Sequence, residues 1–301
     1  MMQLRVSNSP VSWGVDYANH SGNPPWKRVM HEIAEAGYEW TEPGPIGYYP
    51  EDPDFLKAEF KKKGQQVSGG FIFEAVYQKE HAENLRKITH RACRLLAPLE
   101  GKYLVIVPHV VPERLGVAGR SQEAPRLEGD AWKIFVELVN EMGQIITQEY
   151  GLSAVIHPHA GSYLEFPDEI EHFMDDLDSE LVQLCLDTGH SAYAGFDPVD
   201  FYLKHESSIK HLHFKDIDQK IHRRVIQEKL DFHSAVRRGV FSQLGKGIVD
   251  FSSLKCALEQ TNYRGFATVE QDCDPTGNTD SLTDAKKSLA FLQEVGLVTP
   301  K

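Results

Sequence analysis

The 301-residue sequence predicts an α/β protein folded as one (β/α)8 barrel, the TIM barrel architecture. Three observations predict it. Short apolar runs alternate with helical stretches along the chain, the alternation counts out eight pairs, and the last four runs end in side chains of the metal-ligand type. The first strand, over residues 4–8, ends at Ser9-Pro10, and a helix follows over 25–36, with Pro25 near its first turn and Gly37 as its stop. Strand two (38–41) ends at Glu42 and leads to a helix over 54–63 that stops at Gly64. Strand three (66–73) leads to a helix over 81–96 with apolar positions at helical spacing. Strand four (103–107) ends at Pro108-His109. The polar stretch 111–129 reads as a loop over the barrel top, and the amphipathic helix 130–150 stops at Gly151. Strand five (154–157) precedes a helix over 167–175, and strand six (182–186) precedes one over 198–204. Strand seven (209–213) is followed by a polar segment, 216–239, that reads as an inserted helix and loop. A helix over 250–260, strand eight (266–269) and a helix over 280–294 complete the series. Gly245-Lys246-Gly247 reads as a tight turn, with Asp250 capping the helix after it.

Strict alternation implies parallel strands joined by helical crossovers, and eight units close a barrel where an open sheet would use fewer. No linker or composition break divides the chain, so residues 1–301 are expected to form a single domain. Hydrophobic residues at 41% and charged residues at 25% are ordinary for a water-soluble protein. A net charge of −12 argues against nucleic acid or an anionic membrane as partner. The four cysteines (Cys93, Cys185, Cys256 and Cys273) have no paired spacing, which excludes a disulfide framework or zinc ribbon. The Met1-Met2-Gln3-Leu4-Arg5 start lacks the apolar core of a signal peptide, and no run approaches membrane-spanning length, so the expected compartment is the cytoplasm.

Chemistry concentrates at four strand ends. Ala154-Val155-Ile156 runs into His157-Pro158-His159, and Leu184-Cys185-Leu186 into Asp187-Thr188-Gly189-His190. His211-Leu212 leads to His213-Phe214-Lys215-Asp216, and Ala267-Thr268-Val269 to Glu270-Gln271-Asp272. At the C-terminal rim of a barrel such residues converge. His157, Asp187, His213 and Glu270 form a set of two imidazoles and two carboxylates, suited to Mn²⁺, Co²⁺, Fe²⁺ or Zn²⁺ rather than Mg²⁺. Each alone reads more readily as a polar loop residue, and Asp187 as a turn-making or helix-capping residue; the joint pattern favours a metal centre. His159, two residues past His157, is on the same side and is either a substrate contact or the ligand in place of His157. His190, Lys215 and Asp216 are candidate substrate contacts, joined from the early strand ends by Trp13, Glu42 and His109.

The segments Ile156-His157-Pro158-His159-Ala160-Gly161, Leu186-Asp187-Thr188-Gly189-His190, His211-Leu212-His213-Phe214-Lys215-Asp216, Leu244-Gly245-Lys246-Gly247 with Asp250-Phe251, and Val269-Glu270-Gln271-Asp272 resemble the xylose isomerase-like TIM barrel superfamily. Within it they look most like the inosose dehydratases of myo-inositol catabolism. Ser9-Pro10-Val11-Ser12-Trp13-Gly14 and Thr41-Glu42-Pro43-Gly44 are similar to that family's first two strand ends. The resemblance implies a divalent metal, often manganese or cobalt, and a small keto-polyol or ketose substrate. In the ketose epimerase branch the ligands are Glu, Asp, His and Glu; Asp187, His213 and Glu270 match the last three, and His157 stands where the first glutamate would be. That departure favours a dehydratase, with a sugar isomerase or epimerase as the alternative. Glu270, His159 and Lys215 are then the candidate proton-transfer groups. A non-catalytic sugar- or metal-binding regulator is the competing reading of another class, disfavoured by the complete ligand set. Relatives of this kind are often homo-oligomers.

Overall fold

The computed structural model describes residues 2–299. The strands are β1 (Gln3–Asn8), β2 (Trp40–Thr41), β3 (Gln66–Val67), β4 (Gly69–Glu74), β5 (Tyr103–Pro108), β6 (Ser153–Ile156), β7 (Val182–Asp187), β8 (Ile209–Phe214), β9 (Asp216–Ile217), β10 (Phe241–Ser242) and β11 (Arg264–Val269). The helices are α1 (Trp26–Glu35), α2 (Pro53–Lys62), α3 (Ala82–Leu96), α4 (Pro112–Leu115), α5 (Gly129–Gln144), α6 (Pro167–Asp176), α7 (Thr188–Tyr193), α8 (Pro198–His205), α9 (Gln219–Glu228), α10 (Phe232–Arg237), α11 (Phe251–Gln260) and α12 (Ser281–Glu294). No helix among the described residues is long and apolar enough to cross a membrane.

The main sheet runs β3-β2-β1-β11-β8-β7-β6-β5-β4, with every neighbouring pair parallel. Its two end strands are one passage of chain, interrupted only at Ser68, so the sheet closes on itself as an eight-stranded barrel. The passage expected as a single strand over 66–73 changes partner there: β3 pairs with β2 and β4 pairs with β5. Ser68 bridges the change, its N and Oγ both donating to Thr41 O (2.9 and 3.0 Å) while its carbonyl accepts from Lys102 N at 2.8 Å. A Cβ on residue 69 would stand 2.7 Å from Tyr103 O, so glycine is what lets the two strands approach.

Helices cover the outer face of the barrel strands, which explains why β5 and β6 read as continuous apolar runs. Leu104, Val105 and Ile106 are fully buried. The helix expected over 130–150 is α5 up to Gln144, followed by a π turn over Ile145–Glu149. Short helices α4 and α7 arise within stretches expected to be loop. The polar segment after the seventh barrel strand holds α9 and α10, and the antiparallel β9–β10 pair brackets it. Asp250 caps α11 by accepting from Ser253 N at 2.9 Å, as its position after the glycine turn predicts.

Side chains alternate across each strand, so residues two apart share the barrel interior. One half of that interior is apolar: Phe71, Val105, Val107, Val155 and Cys185 pack together with Val11. The other half is polar, lined by Ser7, Thr268, His211 and Glu42, all fully buried. The functional groups lie one layer above this divided floor.

Candidate active site

Each site residue sits at the C-terminal end of a strand because the ladder continues that far. His157 N bonds to Ile106 O at 2.9 Å, and Glu270 N to Phe214 O at 3.1 Å. Asp187 pairs with His213 in the β7–β8 register, and His213 pairs with Thr268 in β8–β11, two residues before Glu270, so the rim residues of these adjacent strands stand together. His213 is the hub. Ligand atoms of His157, Asp187 and His213 lie within 4.8 Å of one another, as do those of Glu42, His213 and Glu270. His157 Nε2 is 3.2 Å from Asp187 Oδ2, and His213 Nδ1 is 3.0 Å from Glu270 Oε2 and 3.9 Å from Asp187 Oδ2.

These groups are close without being satisfied. His157 Nδ1, both ring nitrogens of His213 and Glu270 Oε1 are buried with no partner in hydrogen-bond geometry. Orphaned nitrogen and oxygen donors of intermediate hardness, crowded within one small volume, fit a divalent transition ion. The cap and ligand readings of Asp187 compete in the sequence but not in space. Its Oδ1 accepts from His190 N at 2.8 Å and caps α7, while Oδ2 faces His157 and Lys215.

Lys215 supplies the local positive charge. Its Nζ is 3.3 Å from Asp187 Oδ2, 3.1 Å from Glu270 Oε2 and 2.9 Å from Asp272 Oδ1. Burial opposes its charge, but the three carboxylates hold its pKa well above the ordinary lysine value. Burial likewise opposes ionisation of Asp187 and Glu270; Lys215 with His190 holds Asp187 well below the carboxylate range, and His213 with Lys215 lowers Glu270. His190 Nε2 lies 3.2 Å from Lys215 Nζ and 3.5 Å from Asp272 Oδ2. His159 Nδ1 is 2.9 Å from Ala160 O, so that nitrogen carries the proton and Nε2 remains an acceptor.

Above these groups is a cavity of about 640 Å³ including its open mouth. Its polar side holds His157, His159, His213, Lys215, Glu270 and Asp272, and its apolar side Val11, Phe71, Phe73, Val107 and Val110. Phe232, His233 and Val236 of α10 roof part of it.

Five residues expected at the substrate do not line the cavity: His190, held against Lys215 and Asp272, and four placed elsewhere. Asp216 is fully buried, and its oxygens accept from the backbone N–H of Ile217, Gly245, Gly247 and Val249, which fixes the glycine turn. Trp13 is buried and donates its Nε1 to Glu32 Oε2 at 2.5 Å. Glu42 lies beneath His213, accepting from Thr268 Oγ1 at 2.6 Å and His211 Nε2 at 2.8 Å, with its other oxygen 3.2 Å from His213 Nε2. His109 bonds to Tyr17 Oη at 2.9 Å and packs on Phe73, behind the cavity wall. Two acids that sequence reasoning left out line the cavity instead. Asp272 is signalled by its spacing of two from Glu270, which keeps it on the same side. Asp16 carries no such signal; a turn after β1 brings it in.

The model of the xylose isomerase-like TIM barrel family matches residues 30–295, and the chain belongs to that family. Among its relatives, the inosose dehydratase of Geobacillus kaustophilus (strain HTA426) is 31% identical over 278 residues, spanning 90% of this chain and 88% of the relative. The rhizopine catabolism protein MocC of Rhizobium meliloti is 29% identical over 287 residues, 95% of this chain and 86% of the relative. Solved structures of the same shape include D-allulose 3-epimerase from Methylomonas sp., with a TM-score of 0.73 at 16% identity over 98% of this chain and 99% of that one. The IolI protein with a bound zinc atom has a TM-score of 0.68 at 15% identity over 97% of both chains.

Proposed function

We propose that the chain is a divalent-metal-dependent dehydratase that removes water from a cyclic keto-polyol of the inosose class through an enediolate. One observation carries the reading: an imidazole and carboxylate cluster with orphaned ligand atoms forms one side of a cavity whose other side is apolar. A ring with equatorial hydroxyls presents polar edges and apolar faces, which matches this division. The kinship with the inosose dehydratase of G. kaustophilus supports the substrate class.

His157, Asp187, His213 and Glu270 would hold the ion, with Mn²⁺ or Co²⁺ the expected species and Zn²⁺ or Fe²⁺ compatible with the donor set. When bound, it supplies a Lewis acid that offsets the negative charge developing on the substrate oxygens. Lys215 adds a fixed positive charge beside Asp187 and Glu270, in a site shielded from water. His159, with Nε2 free to accept, and Glu270 are the groups able to take the proton between carbonyl and leaving hydroxyl. The α10 residues Phe232 and Val236 limit water access over the reacting ring.

The test is incubation of Mn²⁺- or Co²⁺-loaded protein with a panel of inososes and ketoses, read by mass. A product lighter than its substrate by one water is expected from an inosose, and chelation should abolish it. A product of unchanged mass would identify a ketose isomerase or epimerase, which shares the enediolate and differs in where the proton returns. Elimination that continues at full rate under chelation would sink the proposal.

A further inference from the structure

We propose that Asp16 is the catalytic acid that protonates the departing hydroxyl, an assignment that rests on the dehydratase reading above. Three carboxylates line this cavity, and two are engaged: Glu270 and Asp272 both hold Lys215, which Asp187 also grips from beneath the lining. Asp16 lines the cavity and makes no hydrogen bond or close ion pair among the described residues; Lys215 attracts its charge through space while Asp272 and Glu270 repel it. The basic groups nearby are unsuited to give up a proton. Lys215 is bound by three carboxylates, and His159 spends its N–H on Ala160 O.

The position of Asp16 is built, not incidental. The 3-10 turn Pro10–Trp13 carries the chain off β1 and ends at Gly14, whose φ of +76° favours glycine. A Cβ on residue 14 would stand 2.6 Å from Pro275 N. Ser12 Oγ donates to Val269 O at 3.5 Å, Cys273 Sγ approaches Ser12 O at 3.6 Å, and Val15 is fully buried. The turn is thus clamped to the segment leaving β11, and Asp16 enters the same cavity as Asp272. Burial, with Asp272 and Glu270 reinforcing it against Lys215, pushes the Asp16 carboxyl up to about 7. Asp16 and Tyr17 also line the adjoining cleft with Asn19 and His20, which gives the released water a way out.

The step balances without a redox partner. The base removes the proton from the carbon between carbonyl and leaving group, and that C–H pair moves into the C=C bond of the enediolate as the carbonyl oxygen takes up the charge; when the oxygen returns its pair, the enediolate electrons become the new C=C bond and the neighbouring C–O bond breaks. Hydroxide departs with the Asp16 proton as water, the Asp16 carboxylate regains a proton from solvent, and the enol ketonises to the dione.

The experiment compares the unmodified protein and Asp16→Asn, each loaded with Mn²⁺, on scyllo-inosose in deuterium oxide. Elimination and deuterium uptake into recovered substrate are read separately by mass. In Asp16→Asn, elimination should fall by about 100-fold or more, because general acid catalysis is removed. Deuterium uptake should persist or rise, because the enediolate still forms and returns to substrate. Asp16→Glu should recover part of the elimination rate. Elimination at the unmodified rate in Asp16→Asn overturns the assignment alone, as does loss of uptake and elimination together in a variant that binds Mn²⁺ normally. Unmodified protein that neither exchanges nor eliminates overturns the dehydratase reading and this assignment with it.

Discussion

His213 shows how much of the site depends on a residue it does not advertise. One oxygen of Glu42 lies 3.2 Å from His213 Nε2, while the other is held by Thr268 and His211, and Ser7 in turn bonds to Thr268 at 2.8 Å. This network crosses the barrel floor from β2 to β8 and β11 and sets a carboxylate oxygen beside Nε2, with Nδ1 on the side of Glu270 and Asp187. Partners of ligating histidines set ring orientation and basicity, so Glu42→Gln should weaken Mn²⁺ binding by about 10–100-fold. Calorimetric titration measures it, and unchanged affinity would mean that Glu42 does not orient His213. The sequence revealed the rim residues, because His157, Asp187, His213 and Glu270 each end an apolar run. It did not reveal Glu42 as a support or Asp216 as a turn anchor. A carboxylate at a strand end looks the same whether it meets a ligand, a neighbouring histidine or four backbone amides. Asp187 is the clearest case, since the cap and ligand readings of that residue are each served by a different oxygen.

Among the elements, what was legible is what local pattern encodes. The strands at 103–107, 182–186 and 209–213 appear within a residue of their expected places, because buried parallel strands are written as apolar runs. The division of the third strand at Ser68 was not legible, because it records a change of partner between β2 and β5, a tertiary event. Packing between elements also reverses a local preference in α5. Gly143 lies inside that helix, where glycine costs about 1 kcal/mol relative to alanine in an exposed position. A Cβ there would collide with Val182 Cγ2 and come within 3.3 Å of Leu181 Cβ. Valine has one stiff rotor and no room to withdraw, so Gly143→Ala should destabilise the protein by about 1–3 kcal/mol through overpacking. Urea unfolding decides the sign. A gain in stability would show that α5 and the start of β7 can separate without cost.

At the scale of the whole barrel, four strands widely separated in sequence must hold orphaned ligand atoms in one place before any ion arrives. That arrangement exists only in the folded chain, because the unfolded chain scatters residues 157, 187, 213 and 270. An ion that binds the folded form alone therefore stabilises it by mass action, by about 2.7 kcal/mol when its free concentration is 100 times the dissociation constant. A protein of this size shifts in Tm by about 1.5–2 °C per kcal/mol, so Mn²⁺ at that excess should raise Tm by about 4–5 °C, and chelation should reverse it. Asp187→Ala is expected to melt lower from the start, because it loses the α7 cap. The informative quantity is consequently the increment within each protein, with and without Mn²⁺. It should be large in the unmodified chain and close to zero in both Asp187→Ala and Glu270→Gln. Equal increments in all three would place the ion away from the barrel rim. Coincident melting curves with and without Mn²⁺, Co²⁺ or Zn²⁺ in the unmodified chain would leave the orphaned atoms of His157, His213 and Glu270 without the cation that accounts for them.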